Sequence, residues 1–114
     1  MFNFIKKFHF AFKGLTYVLR HELSFKIQII ITILVLLAAG FRNFSSLKWI
    51  LLLLTIGFVL TAELFNTALE KILDLHEPRL SRHVGLLKDI LAGAVLVVSV
   101  VAVVVGVILF TTNF

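Results

Sequence analysis

The 114-residue chain has no cysteine, one proline and only six acidic residues. The first absence excludes disulfides and thiolate metal sites and leaves the compartment open. The scarcity of proline leaves long runs without a breaker, and only 15% of residues are charged. What fills the space is apolar: 61% of residues are hydrophobic and the mean hydropathy is +1.10, well beyond a soluble domain, whose apolar share is roughly half. This composition predicts a small integral membrane protein with one domain over residues 1–114. Helices that mostly face lipid enclose little interior, and lipid supplies no hydrophobic drive between them, so a homo-oligomer is expected. The net charge of +5 does not mark a nucleic-acid binder, because the basic residues sit at the ends of apolar runs, where a membrane surface is the better partner. The N-terminus lacks the small-residue cleavage site of a signal peptide.

Residues 2–24 carry Phe4, Ile5, Phe8, Phe12, Leu15, Val18 and Leu19 among Lys6, Lys7, Lys13 and Arg20. Apolar recurrence at three and four predicts a basic amphipathic surface helix. Three membrane spans are expected, over about 25–41, 47–75 and 84–110. Between them lie the polar turn Arg42-Asn43-Phe44-Ser45-Ser46 and the loop from His76 to His83, which contains Pro78. Lys48-Trp49 reads as an interfacial anchor pair opening the second span. The third span is rich in small residues, among them Ala92, Gly93, Ala94, Ser99, Ala102 and Gly106, which permit close helix packing in lipid. Basic residues cluster before the first span and again between Lys71 and Lys88, so the N-terminus and the 76–83 loop are expected to be cytoplasmic.

Near the end of the second span, Glu63, Asn66, Thr67, Glu70 and Asp74 share one helical stripe at ~100° per residue. Ionisable groups in a span are costly and point to function by default. Glu63 lies about 14 residues past Trp49, or roughly 21 Å of helix rise, in the expected cytoplasmic third of the bilayer. Glu22 and Glu70 are both expected near that interface, where two carboxylates suit Mg²⁺, a cation that takes its remaining ligands from water or phosphate. Arg79 and Lys88 can meet phosphate charge from the same side. Metal, cations and a carboxylate to deprotonate an alcohol are the parts of phosphoryl transfer. No Gly-x-x-x-x-Gly-Lys run or protein-kinase signature is present, so such a site must be built between helices. Two other readings remain open from the residues alone. The stripe can serve interhelical hydrogen bonding, or Glu63 can be the single membrane carboxylate of a small proton-coupled transporter. His9, His21, His76 and His83 have no metal-ligand spacing.

Glu63-x-x-Asn66-Thr67-Ala68-x-Glu70-x-x-x-Asp74, then Lys88-Asp89 and Ala92-Gly93-Ala94-Val95, resembles the signature of the prokaryotic diacylglycerol kinase and undecaprenol kinase family. Phe12-Lys13-Gly14-Leu15 and Glu22-x-x-Phe25-Lys26 fit it in order and spacing, and the likeness covers about residues 6–110. The resemblance implies an all-α membrane protein with a surface helix and three transmembrane helices, trimeric, with active sites shared between subunits. It also implies an ATP- and Mg²⁺-dependent lipid kinase of the bacterial inner membrane. Glu63 takes the place of the catalytic base, and Glu22 and Glu70 those of the metal-linked carboxylates at the ATP phosphates. Asn66 and Asp74 match polar residues that shape the site. Lys88 and Asp89 match the nucleotide-binding pair, while Arg79, Leu80 and Ser81 occupy the loop bordering the adenosine. Phe10 stands where a nucleotide-bordering Tyr is found, Phe12 where a Trp is usual, and Gln28 where an acid is frequent. Ala92-Gly93-Ala94-Val95 replaces Gly-Ser-Ala-Ala-Val, which resembles the undecaprenol kinase branch and favours a polyprenol over diacylglycerol as acceptor.

Overall fold

The computed structural model describes residues 2–76 and 82–114, and its regular structure is entirely helical. Four helices follow in order: α1 (Phe2–His21), α2 (Leu23–Phe41), α3 (Ser46–His76) and α4 (Arg82–Thr111). Three of them, α2 to α4, are long and apolar enough to cross a membrane. At 1.5 Å per residue α2 rises about 28 Å, close to the ~30 Å hydrocarbon thickness, whereas α3 and α4 rise about 46 and 45 Å. The surplus of α3 and α4 falls at the end that carries Asp74 and Lys88, because the other end is fixed by the short α2–α3 turn.

α1 and α2 are separated at Glu22, whose backbone is extended at φ −110° and ψ 111°. The boundary expected at 24/25 therefore moves: Leu23 and Ser24 already belong to α2. Phe25, only 4% exposed, anchors the first turn of α2, so packing sets the break where no Gly or Pro does. The C-terminal part of α1 lies beside the C-terminal end of α3, where the Lys71 ammonium stands 5.5 Å from the centre of the Tyr17 ring.

The α2–α3 turn has a definite chemistry. Asn43 is left-handed at φ 54°, its N–H donates to Gly40 O at 3.3 Å, and the N–H of Phe44 donates to Ala39 O at 3.3 Å. This is the Schellman ending of a helix, with Asn in the position that glycine usually fills. Its apolar contact is also present, since Phe44 packs on the buried cluster of Ala39, Leu52 and Leu109. Ser45 then caps α3, its hydroxyl accepting from the N–H of Lys48 at 3.3 Å.

Lys48 departs from the expected interfacial anchor. It is 8% exposed, and its ammonium donates to Leu109 O at 2.7 Å and to Thr112 O, 5.0 Å from the centre of the Phe44 ring. Arg42 donates to Phe110 O at 2.8 Å. The reason is the end of α4: its last carbonyls have no intrahelical donor and carry the negative end of the helix dipole, and lipid offers them nothing. Lys48→Met should lower the unfolding free energy in detergent by about 2–3 kcal/mol, the scale of lost charge-assisted hydrogen bonds and orphaned carbonyls. Lys6→Met on exposed α1 should change it by less than about 0.5 kcal/mol. Equal effects of the two substitutions in a denaturant titration would remove the capping role.

Candidate active site

Glu63 projects from α3 towards α2 and is 6% exposed. The Ser24 hydroxyl donates to its Oε1 at 2.5 Å, and the Gln28 amide donates to its Oε2 at 3.4 Å. Ser24 and Gln28 are four residues apart on α2, hence on one face. Among the described residues no cation pairs with Glu63. A carboxylate removed from water and answered only by neutral donors is a poor choice for stability, so its place in a membrane-spanning helix points to chemistry.

The surroundings are polar beyond what they satisfy. Thr67, one turn along, is 4% exposed, and Gln28 Oε1 and Asn66 Oδ1 are buried acceptors without a hydrogen-bond partner. Such atoms are rare in folded proteins and each costs about 1–3 kcal/mol until a donor arrives. A hydroxyl-bearing ligand would supply one. From Gln28, an apolar groove of about 560 Å³ runs between α2, α3 and α4 to Phe110, lined on the way by Ile31, Val35, Leu52, Ile56, Val59 and Val103.

The lower part of the stripe turns to other partners. Asp74 accepts a hydrogen bond from the Lys88 ammonium of α4 at 2.5 Å, with the two side chains 57% and 37% exposed. Glu70, one turn earlier, adds its charge to the field at the same ammonium. Asp89 is exposed and sits ~100° around α4 from Lys88, so the two act as separate groups. Glu22 is half-buried, and its side chain does not cap α2. Glu22 and Glu70 accept no hydrogen bond and form no ion pair among the described residues, which keeps their oxygens available to a hard cation. Since no three His, Cys, Asp or Glu converge among the described residues, a metal held by these two would draw its other ligands from phosphate and water. Phe10 lines a separate groove of about 420 Å³ between α1 and α3, with Lys13, Tyr17, Thr67 and Lys71. Arg79, Leu80 and Ser81 lie outside the described residues.

Over residues 9–110 the sequence matches the prokaryotic diacylglycerol kinase family. The chain belongs to that family. It is 32% identical over 105 residues to a diacylglycerol kinase of Synechocystis sp., an alignment that covers 91% of this chain and 60% of the relative. It is 31% identical over 108 residues to an undecaprenol kinase of Bacillus subtilis, covering 95% of this chain and 88% of the relative. The chain thus spans 60% of the length of the Synechocystis relative.

Sequence reasoning on this family's stripe does not find Ser24, which touches Glu63 across 39 positions. The available signal is a polar pair, Ser24 and Gln28, at helical spacing in the first turns of an apolar run. The Asp74–Lys88 contact is of a different kind, because an exposed ion pair contributes little to stability. In a double-mutant cycle the effects of Asp74→Asn and Lys88→Gln on the unfolding midpoint should add within experimental error. A coupling as large as either single effect would make the pair a structural strut instead.

Proposed function

We propose that the protein is an ATP- and Mg²⁺-dependent lipid kinase that phosphorylates the primary hydroxyl of undecaprenol at the cytoplasmic face of a bacterial inner membrane, with diacylglycerol as the alternative acceptor. The observation that carries it is the buried Glu63 carboxylate, in contact with Gln28 at the end of an apolar groove that Gln28 lines, in a chain of this family. Glu63 accepts the hydroxyl proton as the acceptor oxygen forms a bond to the γ-phosphorus, and the bond from that phosphorus to the bridging oxygen breaks to release ADP. Bound Mg²⁺, held through Glu22 and Glu70, supplies charge neutralisation at the phosphate oxygens. Lys88 and Arg79 add positive charge on the nucleotide side, and Phe10, Leu80, Ser81 and Asp89 border the nucleotide. Asn66 and Asp74 shape the site from the stripe of α3. The N-terminus is cytoplasmic and α1 lies at the interface. Three subunits assemble and share their active sites, which accounts for the apolar surface that a single chain leaves uncovered.

The choice of a polyprenol rests on the groove. Diacylglycerol would bring two ester carbonyls into it, where the hydroxyls of Thr55 and Thr111 already donate to Leu51 O and Val107 O, leaving those of Thr32 and Ser99 as the hydroxyl donors along the wall. Unmet carbonyls would cost about 1–3 kcal/mol each, enough for a tenfold or larger preference in kcat/KM. An isoprenoid chain brings no such groups. Purified protein in mixed micelles with MgATP, offered both lipids in competition, should phosphorylate undecaprenol in preference. A preference for diacylglycerol would reverse the acceptor assignment, and transfer to neither lipid would overturn the kinase reading.

Two substitutions test the chemistry. Glu63→Gln should keep MgATP binding and lose turnover by ~10²-fold or more, whereas activity within tenfold of the unmodified protein would remove Glu63 as base. Glu22→Gln and Glu70→Gln should each weaken MgATP binding by calorimetry, with partial recovery at raised Mg²⁺. Affinity and turnover unchanged in either would contradict the metal role.

A further inference from the structure

The two oxygens of Glu63 are held unequally. Oε1 takes a short hydrogen bond of 2.5 Å from the Ser24 hydroxyl, at the short limit for a hydroxyl donating to a carboxylate. Oε2 has only the Gln28 amide at 3.4 Å, beyond the usual 2.7–3.2 Å of an N–H···O bond. The terminal torsion of a glutamate is broad and roughly two-fold, so nothing in the side chain itself selects which oxygen turns towards Gln28 and the groove that Gln28 lines. A strong bond to one oxygen does.

We propose that Ser24 is the positioning residue of the site: its hydroxyl fixes Oε1 of Glu63 and so presents Oε2 to the acceptor alcohol. The proposal rests on the reading of Glu63 as base. In the transfer step the alcohol proton passes to Oε2, while the Ser24 proton stays on its own oxygen as the donor to Oε1. Ser24 therefore takes no part in bond making, and no phosphoserine forms. Gln28 yields readily because its contact is long, and its amide lies both beside Oε2 and in the wall of the apolar groove, the point at which a lipid hydroxyl would arrive. Ser24 is also only two residues past the extended Glu22. Glu22, the residue before α2, is assigned to the metal and Ser24, in the first turn of α2, clamps the base, so one short backbone segment sets the spacing between proton acceptor and phosphate.

A misplaced catalytic group costs rate far more than binding. For the full chain in mixed micelles, Ser24→Ala should lower kcat by tenfold or more, with KM for lipid and MgATP affinity within about twofold of the unmodified protein. Ser24→Thr, which keeps the hydroxyl, should restore most of the rate. Because Ser24 acts through Glu63, the double variant Ser24→Ala/Glu63→Gln should be no slower than Glu63→Gln alone. Should Ser24→Ala fail to fold, Ser24→Cys keeps the shape with a weak donor and should be slow in the same way. An unchanged kcat in Ser24→Ala, a loss carried by KM, a Thr variant as slow as the Ala variant, or full additivity in the double variant would each overturn the proposal. If Glu63→Gln is inactive while Ser24→Ala is unaffected, only the role of Ser24 falls. If Glu63→Gln is active, the base reading itself has failed.

Discussion

A carboxylate on a membrane-spanning helix is kept from hydrocarbon only by donors on a neighbouring helix, and for Glu63 those donors are Ser24 and Gln28 of α2. This requirement fixes more than one side chain. It sets the rotation of α2 about its own axis, since only one face carries two polar residues four apart. It also sets the register of α2 against α3, because a slip of one turn, about 5.4 Å, would carry the Ser24 hydroxyl out of reach of Oε1. The α1–α2 break follows from the same register: the chain must turn at Glu22 so that Ser24 can open the first turn of a helix already committed to α3.

The opposite end of the bundle answers a different need with stronger groups. There the unmet partners are backbone carbonyls at the end of α4, and two cations, Arg42 and Lys48, reach them. Around them lie the most buried apolar residues, Ala39, Leu52 and Leu109. The end that carries Glu63 has no comparable apolar cluster among the described residues, and its charged groups other than Glu63 are half-buried or exposed. Dense packing at one end and open polar geometry at the other is the arrangement expected where the loosely packed end must admit ligands.

The three spans are legible in the sequence because nothing but polar turns interrupts long apolar runs, and Asn43 marks the α2 ending because few residues other than glycine tolerate a left-handed backbone. The stripe from Glu63 to Asp74 is legible for the same reason, helical periodicity being a local property. What is not legible is direction. Lys48 beside Trp49 has the composition of an anchor that reaches outward, yet it turns inward to carbonyls more than sixty positions away, and no local pattern announces a partner at that separation. Ser24 is hidden likewise: a serine near a helix start reads as capping chemistry, and only the approach of α3 gives its hydroxyl a carboxylate to meet. Gln28, seen in sequence as a departure from the family, becomes intelligible as the second donor to that carboxylate.

The kind of partner that Glu63 has matters as much as its presence. Had a lysine or arginine answered it, a proton arriving at the carboxylate would have to displace a full positive charge held at close range in a medium of low dielectric. The chain is not short of cations: Lys48 and Arg42 are engaged with the carbonyls of α4, Lys88 with Asp74 and Lys71 over the Tyr17 ring, while Lys26, on α2 between Ser24 and Gln28, forms no ion pair with Glu63. Glu63 is left with a hydroxyl that holds one oxygen firmly and an amide that holds the other weakly. A hydrogen bond from a neutral donor orients a carboxylate without setting an opposite charge beside it, so the group is fixed in space with no ion pair to break. The proposed role as base asks both of a carboxylate within the membrane, and here they are met by uncharged side chains, which cost less in hydrocarbon than a buried cation would.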